Sequence, residues 1–357
     1  MIVPALLCAL GLPTACSLIL RVPECPPGRP GVATRLSIII PARNEELNLP
    51  RLLASIAASA MRPAEVLVID DASTDNTASV AHSFGASVLK LDQLPEGWTG
   101  KSWACYQGAE RATGDLLLFL DADTYFVSDG LDRMIACWLR HQDPRLVVSL
   151  LPYHAMTAKY EQLSLVFNLL MAAGAGGFGG LAAPRLFGQS LLISAEMYRK
   201  AGGHAAVRGV VLENLRFAKI LQKFGARLAC FGGRGTLHMR MFPGGFHQMS
   251  QSWGKAFMQG AADAGAAVVV CAMIWISALW FTALLLVSQG NYGRPAIAFV
   301  YLLLGLQLAW IGRKLGSYNP LLCLLYPLPL AYYCFIFTQS AARRVLHRKI
   351  AWRGREV

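Results

Sequence analysis

Short apolar runs that end in polar turns dominate the first 150 positions. Leu36 to Ile40 is uninterruptedly apolar apart from Ser37 and runs into Pro41-Ala42-Arg43-Asn44-Glu45-Glu46. Val66 to Ile69 runs into Asp70-Asp71, and Leu116 to Leu120 runs into Asp121-Ala122-Asp123. Continuous apolar runs of this length, set between turn residues, read as strands buried on both faces. Between them lie segments of helical period. One covers Glu45 to Ala58, with Leu49, Leu52, Leu53 and Ile56 on one face; one runs from about Thr74 to Phe84; and one spans Lys101 to Arg111. A further strand is expected at Ala86 to Lys90. Strand and helix in alternation predict an α/β fold, a mainly parallel sheet with helices on both faces. Ser73 or Thr74 is placed to cap the second helix, as is Asp75, and Pro41 is placed to stop the first strand.

The pattern then changes. Lys159 to Met171 is a helix that reads either as a core element or as a membrane-facing wall, followed by the glycine-rich stretch Gly174 to Gly180 as a loop or lid. Phe246, Met249, Trp253 and Phe257 recur at helical spacing beside Lys255, as in a helix lying along a membrane surface. From Ala266 to Ala342 the charges are Arg294, Arg313 and Lys314 alone. Three segments there, 266–287, 295–312 and 320–339, approach the roughly 20 residues that a bilayer crossing takes. In the third, Pro327 and Pro329 remove backbone donors and predict a broken helix that enters and returns or lies in the interface. Residues 1–20 are uncharged and read as an uncleaved anchor, since a cleaved signal peptide would carry its positive charge before the apolar run. The expected organisation is an anchor over 1–20, a Pro/Gly linker over 21–34, a catalytic domain over 35–257, membrane segments over 266–340 and a basic tail over 341–357.

Composition sharpens this. Of 357 residues 55% are hydrophobic and 15% charged, against about 25% charged in a soluble domain. The net charge of +12 does not argue for nucleic acid, because Arg343, Arg344, Arg348, Lys349, Arg353 and Arg355 follow the last apolar segment. There the positive-inside rule explains them and places the tail in the cytosol. The nine cysteines are scattered, without CxxC or zinc spacing, which suits a reduced, cytosol-facing domain. The expected location is the cell membrane, as a multi-pass protein with its catalytic domain toward the cytoplasm.

The polar strand ends carry the candidate chemistry. In open α/β sheets ligands bind outside the carboxyl ends of the strands. Asp121 and Asp123 are hard oxygen ligands suited to Mg²⁺ or Mn²⁺ on a diphosphate; a DxD can also merely cap a turn. Asp70 and Asp71 are placed to accept from a base or ribose, and Pro41, Asn44 and Glu45 border the same crevice. No glycine occurs in the first turn, which excludes a dinucleotide-binding GxGxxG. Lys101 opens a helix, and a lysine at a helix N-terminus suits phosphate oxygens. Trp98 and Trp103 stack on a ligand or pack.

These three strand-end motifs resemble the family 2 inverting glycosyltransferases of the GT-A fold over about Leu36 to Phe257. PEGWTGKSWACYQGA (Pro95 to Ala109) is similar to the membrane glycosyltransferases of carotenoid (diaponeurosporenoate glucosyltransferase type) and hopanoid biosynthesis. The resemblance implies a UDP-sugar donor, with glucose the expected sugar, a divalent metal, and a lipid acceptor such as a carotenoid acid or hopanoid. It names no protein partner. Where the family carries Glu-Asp, this chain has Glu213-Asn214, so Glu213 is the remaining candidate base, unless the acceptor is a carboxylate and arrives ionised. Arg240 resembles a family position that contacts the diphosphate, with His238 beside it. The QxxRW of processive members is half matched by Gln248 to Trp253, which argues for single transfer. Two other readings stay open: transfer to a polyprenyl phosphate, as in dolichol-phosphate mannose synthases, and a noncatalytic nucleotide-binding scaffold.

Overall fold

The computed structural model describes residues 2–31, 34–181, 183–210, 213–260, 265–288, 294–345, 351–352 and 355–356. Arg348, Lys349 and Arg353 of the basic tail lie outside these residues. In chain order the elements are α1 (Ile2–Leu18), β1 (Leu36–Ala42), α2 (Leu49–Ala57), β2 (Glu65–Asp71), α3 (Thr77–Ser83), β3 (Ser87–Leu91), α4 (Gly100–Arg111), β4 (Leu116–Leu120), β5 (Thr124–Phe126) and α5 (Gly130–Arg140). They continue as β6 (Leu146–Leu151), β7 (Tyr153–His154), α6 (Leu165–Gly176), β8 (Ser190–Ser194), α7 (Ala195–Lys200), α8 (Glu213–Lys223), β9 (Arg227–Gly232) and β10 (Leu237–Met239). Last come α9 (Phe246–Gly260), α10 (Ala266–Val287), α11 (Arg294–Leu315), α12 (Pro320–Leu324) and α13 (Pro327–Val345). The chain divides into two compact units, one of residues 22–154 and 183–240, the other of residues 1–21, 155–182 and 241–357.

The first unit holds a seven-stranded sheet in the order β3-β2-β1-β4-β8-β6-β9. β1 pairs in parallel with β2 and β4, β2 with β3, and β6 with β9, while β8 runs antiparallel to β4 and β6. Because side chains alternate across a strand, the sheet feeds two cores. Leu36, Ile38, Ile40, Leu116 and Leu118 pack against α2 and α5. Ile39, Ile69, Leu117, Phe119 and Ile193 pack against α4 and α8. α4 lies unusually close: a Cβ at Gly108 would come within 2.5 Å of Ile39 Cγ2, so only glycine leaves room there.

Two local expectations change. Pro41 does not stop β1: it sits inside the strand, in register with Ile69. A strand tolerates proline where no neighbour needs its N–H, and the ladder to β4 ends at Ile39. Neither Ser73 nor Thr74 caps α3. The helix starts at Thr77 with Asn76 at the cap position and no side-chain cap bond; Asp75, one residue further out, accepts from the Thr77 N–H and hydroxyl, while Ser73 and Thr74 bond to the neighbouring turn.

In the second unit, α10 and α11 are the helices long and apolar enough to cross a membrane among the described residues, 22 residues each. Their inner faces bury Trp275, Ala278, Leu279, Leu304 and Leu308, and Gly11 of α1 would bring a Cβ within 2.6 Å of Ala278 Cβ. The apolar segment expected at 320–339 is broken, with α12 ending at Leu324 and Pro327 opening α13. Proline is well placed at a first helical position, where its missing N–H has no partner to lose. On the α9 stripe Phe246 is exposed while Met249 and Trp253 are buried, Trp253 Nε1 donating to Ser164 Oγ at 3.1 Å with its ring stacked on Phe167 at 4.6 Å. The side chains of Lys255 and Phe257 lie outside the described residues. Gln248, the other half of the QxxRW match, accepts from the Gly244 N–H through Oε1.

Candidate active site

The carboxyl ends of β1, β2 and β4 lie along one edge of the sheet, and the first two turns there are tied to each other. Asn44 adopts the left-handed region, φ 54°, which asparagine tolerates better than most residues. Its N–H donates to Ser73 Oγ, and its Oδ1 accepts from the Thr74 N–H at 2.8 Å. Glu45, buried, donates its N–H to Thr77 Oγ1 and accepts from Asn48 Nδ2. Asp70 Oδ1 accepts from the Ser73 N–H, and Asp71 Oδ2 pairs with Arg43 at 3.5 Å. Asn44, Glu45 and Asp70 thus hold the shape of this edge; that work occupies their side chains whatever else they bind.

A charged cluster stands at the end of β4. Lys101 Nζ lies 2.6 Å from Asp121 Oδ1 and 3.7 Å from Glu213 Oε1, and donates to the Gly188 carbonyl at 2.8 Å. Asp121 and the Gly188 carbonyl lie within hydrogen-bond distance of the ammonium, which has three protons to give, while Glu213 at 3.7 Å is an ion-pair contact only. Lys101 comes from the first turn of α4, Glu213 from the first turn of α8, and Gly188 from the loop entering β8. β8 brings that loop to this edge because it runs antiparallel, with Ser190 opposite Leu120. Beneath the cluster is a cavity of about 20 Å³, lined by Lys101, Asp121, Phe187, His204, Glu213 and Asn214 among others.

Burial pushes the Glu213 carboxyl up, and the nearby Lys101 charge pulls it only part of the way back. Burial opposes the charge on Lys101, yet Asp121 and then Glu213 outweigh it and raise its pKa. Lys101 is therefore held in its charged form.

Asp123 is half-buried between Asp121 and β5. β5 pairs antiparallel with β10, Met239 opposite Thr124. Arg240 follows β10 directly, one residue beyond Met239. His238 packs on the rings of Tyr125 and Tyr153, and burial with the Arg51 charge holds its imidazole down at about 4. That is the environment of a structural histidine. Trp98 and Trp103 pack on each other at 5.0 Å and on Tyr106.

The sequence profile of "Glycosyl transferase family 2" matches residues 37–191, which covers β1 to the start of β8. The 4,4'-diaponeurosporenoate glycosyltransferase of Staphylococcus aureus strain MRSA252 is 31% identical over 330 residues, 90% of this chain and 88% of that one. The protein of the same description from strain USA300 is 30% identical over the same share of each. The chain belongs to glycosyl transferase family 2.

This glycosyltransferase also shares its fold with a solved structure, "Mannosyltransferase PcManGT from Pyrobaculum calidifontis in complex with GDP-Man and Mn2+". The TM-score is 0.54 at 18% identity, over 96% of this chain and 99% of that one. The fold is GT-A-like. Asn214 is this glycosyltransferase's departure from the Glu-Asp pair, and the structure gives it a job: its Nδ2 donates to the Leu186 carbonyl across the cavity wall. An aspartate could not donate there and would set a third carboxylate near Asp121 and Glu213. Asn214→Asp is therefore expected to destabilise the domain by about 1–3 kcal/mol, read as a lower midpoint in urea unfolding; an unchanged midpoint would show that the strut carries no weight. Sequence reasoning missed Gly188, whose carbonyl leaves no local pattern, and His204, whose only local signal is the Gly202-Gly203 turn before it.

Proposed function

We propose that this family 2 glycosyltransferase moves one sugar, glucose, from a UDP-sugar to a lipid acceptor at the membrane, with inversion at the anomeric carbon. The observation that carries the reading is the Asp121–Lys101–Glu213 cluster at the carboxyl edge of the sheet, with an asparagine where the family has its second acid. Lys101, at the positive end of α4, and Arg240, just beyond β10, would meet diphosphate oxygens. Asp70, Asp71, Asn44 and Glu45 would border the crevice for the nucleoside, and Pro41 lines the cavity beside Lys101 and Asp121.

The residues fit a divalent metal. Asp121 and Asp123 offer hard carboxylate oxygens at one turn, and among the described residues no group of three ligands exists that would cage an ion. Mg²⁺ and Mn²⁺ bound by one or two carboxylates usually complete their shells with phosphate and water. Asp121 and Asp123 would hold the ion, and when bound it neutralises charge on the leaving diphosphate. Glu213 takes the proton of an acceptor hydroxyl. The relatives are named for a carboxylate, diaponeurosporenoate; such an acceptor arrives ionised and needs no base, which suits Asn214.

The exposed apolar side chains of α10 and α11, Val270, Met273, Phe281, Leu284, Phe299, Leu302 and Leu306, support a membrane setting. Exposed apolar patches of this extent are rare on soluble surfaces. UDP-sugars are cytosolic, so the catalytic unit faces the cytoplasm in this reading of a multi-pass protein.

Membranes holding the full chain, given UDP-[¹⁴C]glucose and a carotenoid acid, are expected to yield an organic-soluble labelled product. An ester of a carboxylate acceptor is released by mild base, a glycoside of a hydroxyl acceptor resists mild acid and base, and a polyprenyl-phosphate sugar is cleaved by mild acid. Acid-labile product alone would replace this reading with the polyprenyl-phosphate one.

A further inference from the structure

Tyr198 and His204 form a built unit on the wall of the cavity under Lys101. The Tyr198 hydroxyl oxygen accepts the His204 backbone N–H at 3.1 Å, and lies 2.9 Å from His204 Nδ1. With Nδ1 as acceptor, the phenol gives it its own proton while accepting from the backbone. The imidazole hydrogen therefore sits on Nε2. The arrangement depends on Gly203, φ 53°, where a Cβ would come within 2.6 Å of the Tyr198 ring. The Phe119 and Phe217 rings flank the imidazole at centroid distances of 5.0 and 5.5 Å. Burial, with the Lys101 charge adding to it, holds the ring at about 3, so it stays neutral at any working pH.

A buried, neutral imidazole of fixed tautomer, lining the same cavity as Glu213 and Asn214, is a donor without a charge of its own. The cavity of about 20 Å³ admits one water, which needs about 10–15 Å³ and two or more polar partners. We propose that His204 is a positioning residue for Glu213: Nε2–H, through a water in this cavity, orients the carboxylate toward the acceptor hydroxyl, and Tyr198 fixes the tautomer that allows it. The inference rests on the reading of Glu213 as base.

The test is a double-mutant cycle on the full membrane-embedded chain, following UDP release from UDP-glucose with a long-chain alcohol as acceptor. His204→Phe is expected to lower kcat about 10–100-fold with KM for UDP-glucose unchanged. His204→Gln, which keeps an N–H near the Nε2 position, should recover most of the loss, and Tyr198→Phe should fall between. In the Glu213→Gln background, His204→Phe should have almost no further effect, since coupled residues are not additive. Equal losses in both backgrounds, or equal losses for His204→Phe and His204→Gln, would overturn the inference and leave His204 structural. A Glu213→Gln enzyme as fast as wild type would instead overturn the base reading, and the His204 inference with it; the single Glu213 variant tells the two failures apart.

Discussion

Asp123→Ala is expected to lower sugar transfer by about two to three orders of magnitude, and chelation with EDTA to silence the wild type to a similar depth. The chain has Asp121 already sharing Oδ1 with the Lys101 ammonium at 2.6 Å, so the second carboxylate of the turn carries much of the capacity to hold a divalent ion. A metal that stabilises the leaving diphosphate contributes several kcal/mol in the transition state, and each 1.36 kcal/mol is tenfold in rate. The measurement is initial UDP release from UDP-glucose with excess Mn²⁺ or Mg²⁺. Added metal should restore the chelated wild type and leave Asp123→Ala inactive. A variant as active in chelator as the wild type is in metal would remove this turn from metal binding.

Glu213→Gln should reduce transfer to an alcohol by about 10²–10⁴-fold, the usual weight of a general base, with UDP affinity by calorimetry unchanged. Toward a carboxylic acid acceptor the loss should be far smaller, since the nucleophile is already ionised. The substitution keeps the shape of the side chain beside Lys101 while removing its ability to take a proton and its charge toward that ammonium. Equal rates of variant and wild type toward the alcohol would take Glu213 out of the chemistry. A large loss toward both acceptor types would point to Glu213 acting on the donor through Lys101.

Much of the fold was legible because its determinants are local. The run Leu116 to Leu120 is apolar on both faces and reads as a buried strand, which it is, with the same ends. Asp121 and Asp123 follow it directly, so their place at the sheet edge required only that the strand be parallel to β1. The apolar periods of α10 and α11 and the proline break before α13 were equally visible. Strand ends, helix faces and breaks arise from periodicity and backbone donors within a few residues, and those are written along the chain.

What the sequence left open is whatever depends on distant pairing. Residues 101 and 213 are far apart in the chain, yet their first-turn side chains meet each other, and Lys101 meets Asp121 as well, because α4 and α8 pack on the same face of the sheet. The Gly188 carbonyl reaches Lys101 because β8 enters the sheet antiparallel, a choice no local pattern encodes. Pro41 stays within β1 because the neighbouring ladder has already ended. Met249 and Trp253 are covered, not open to lipid, because Ser164 and Phe167 lie against them; the same helical stripe would have served either surroundings. The sequence by itself determined which residues could carry the chemistry. Only the tertiary structure decided which of them share one edge of the sheet, because that is set by strand order and helix packing between segments that leave no mark on one another's local pattern.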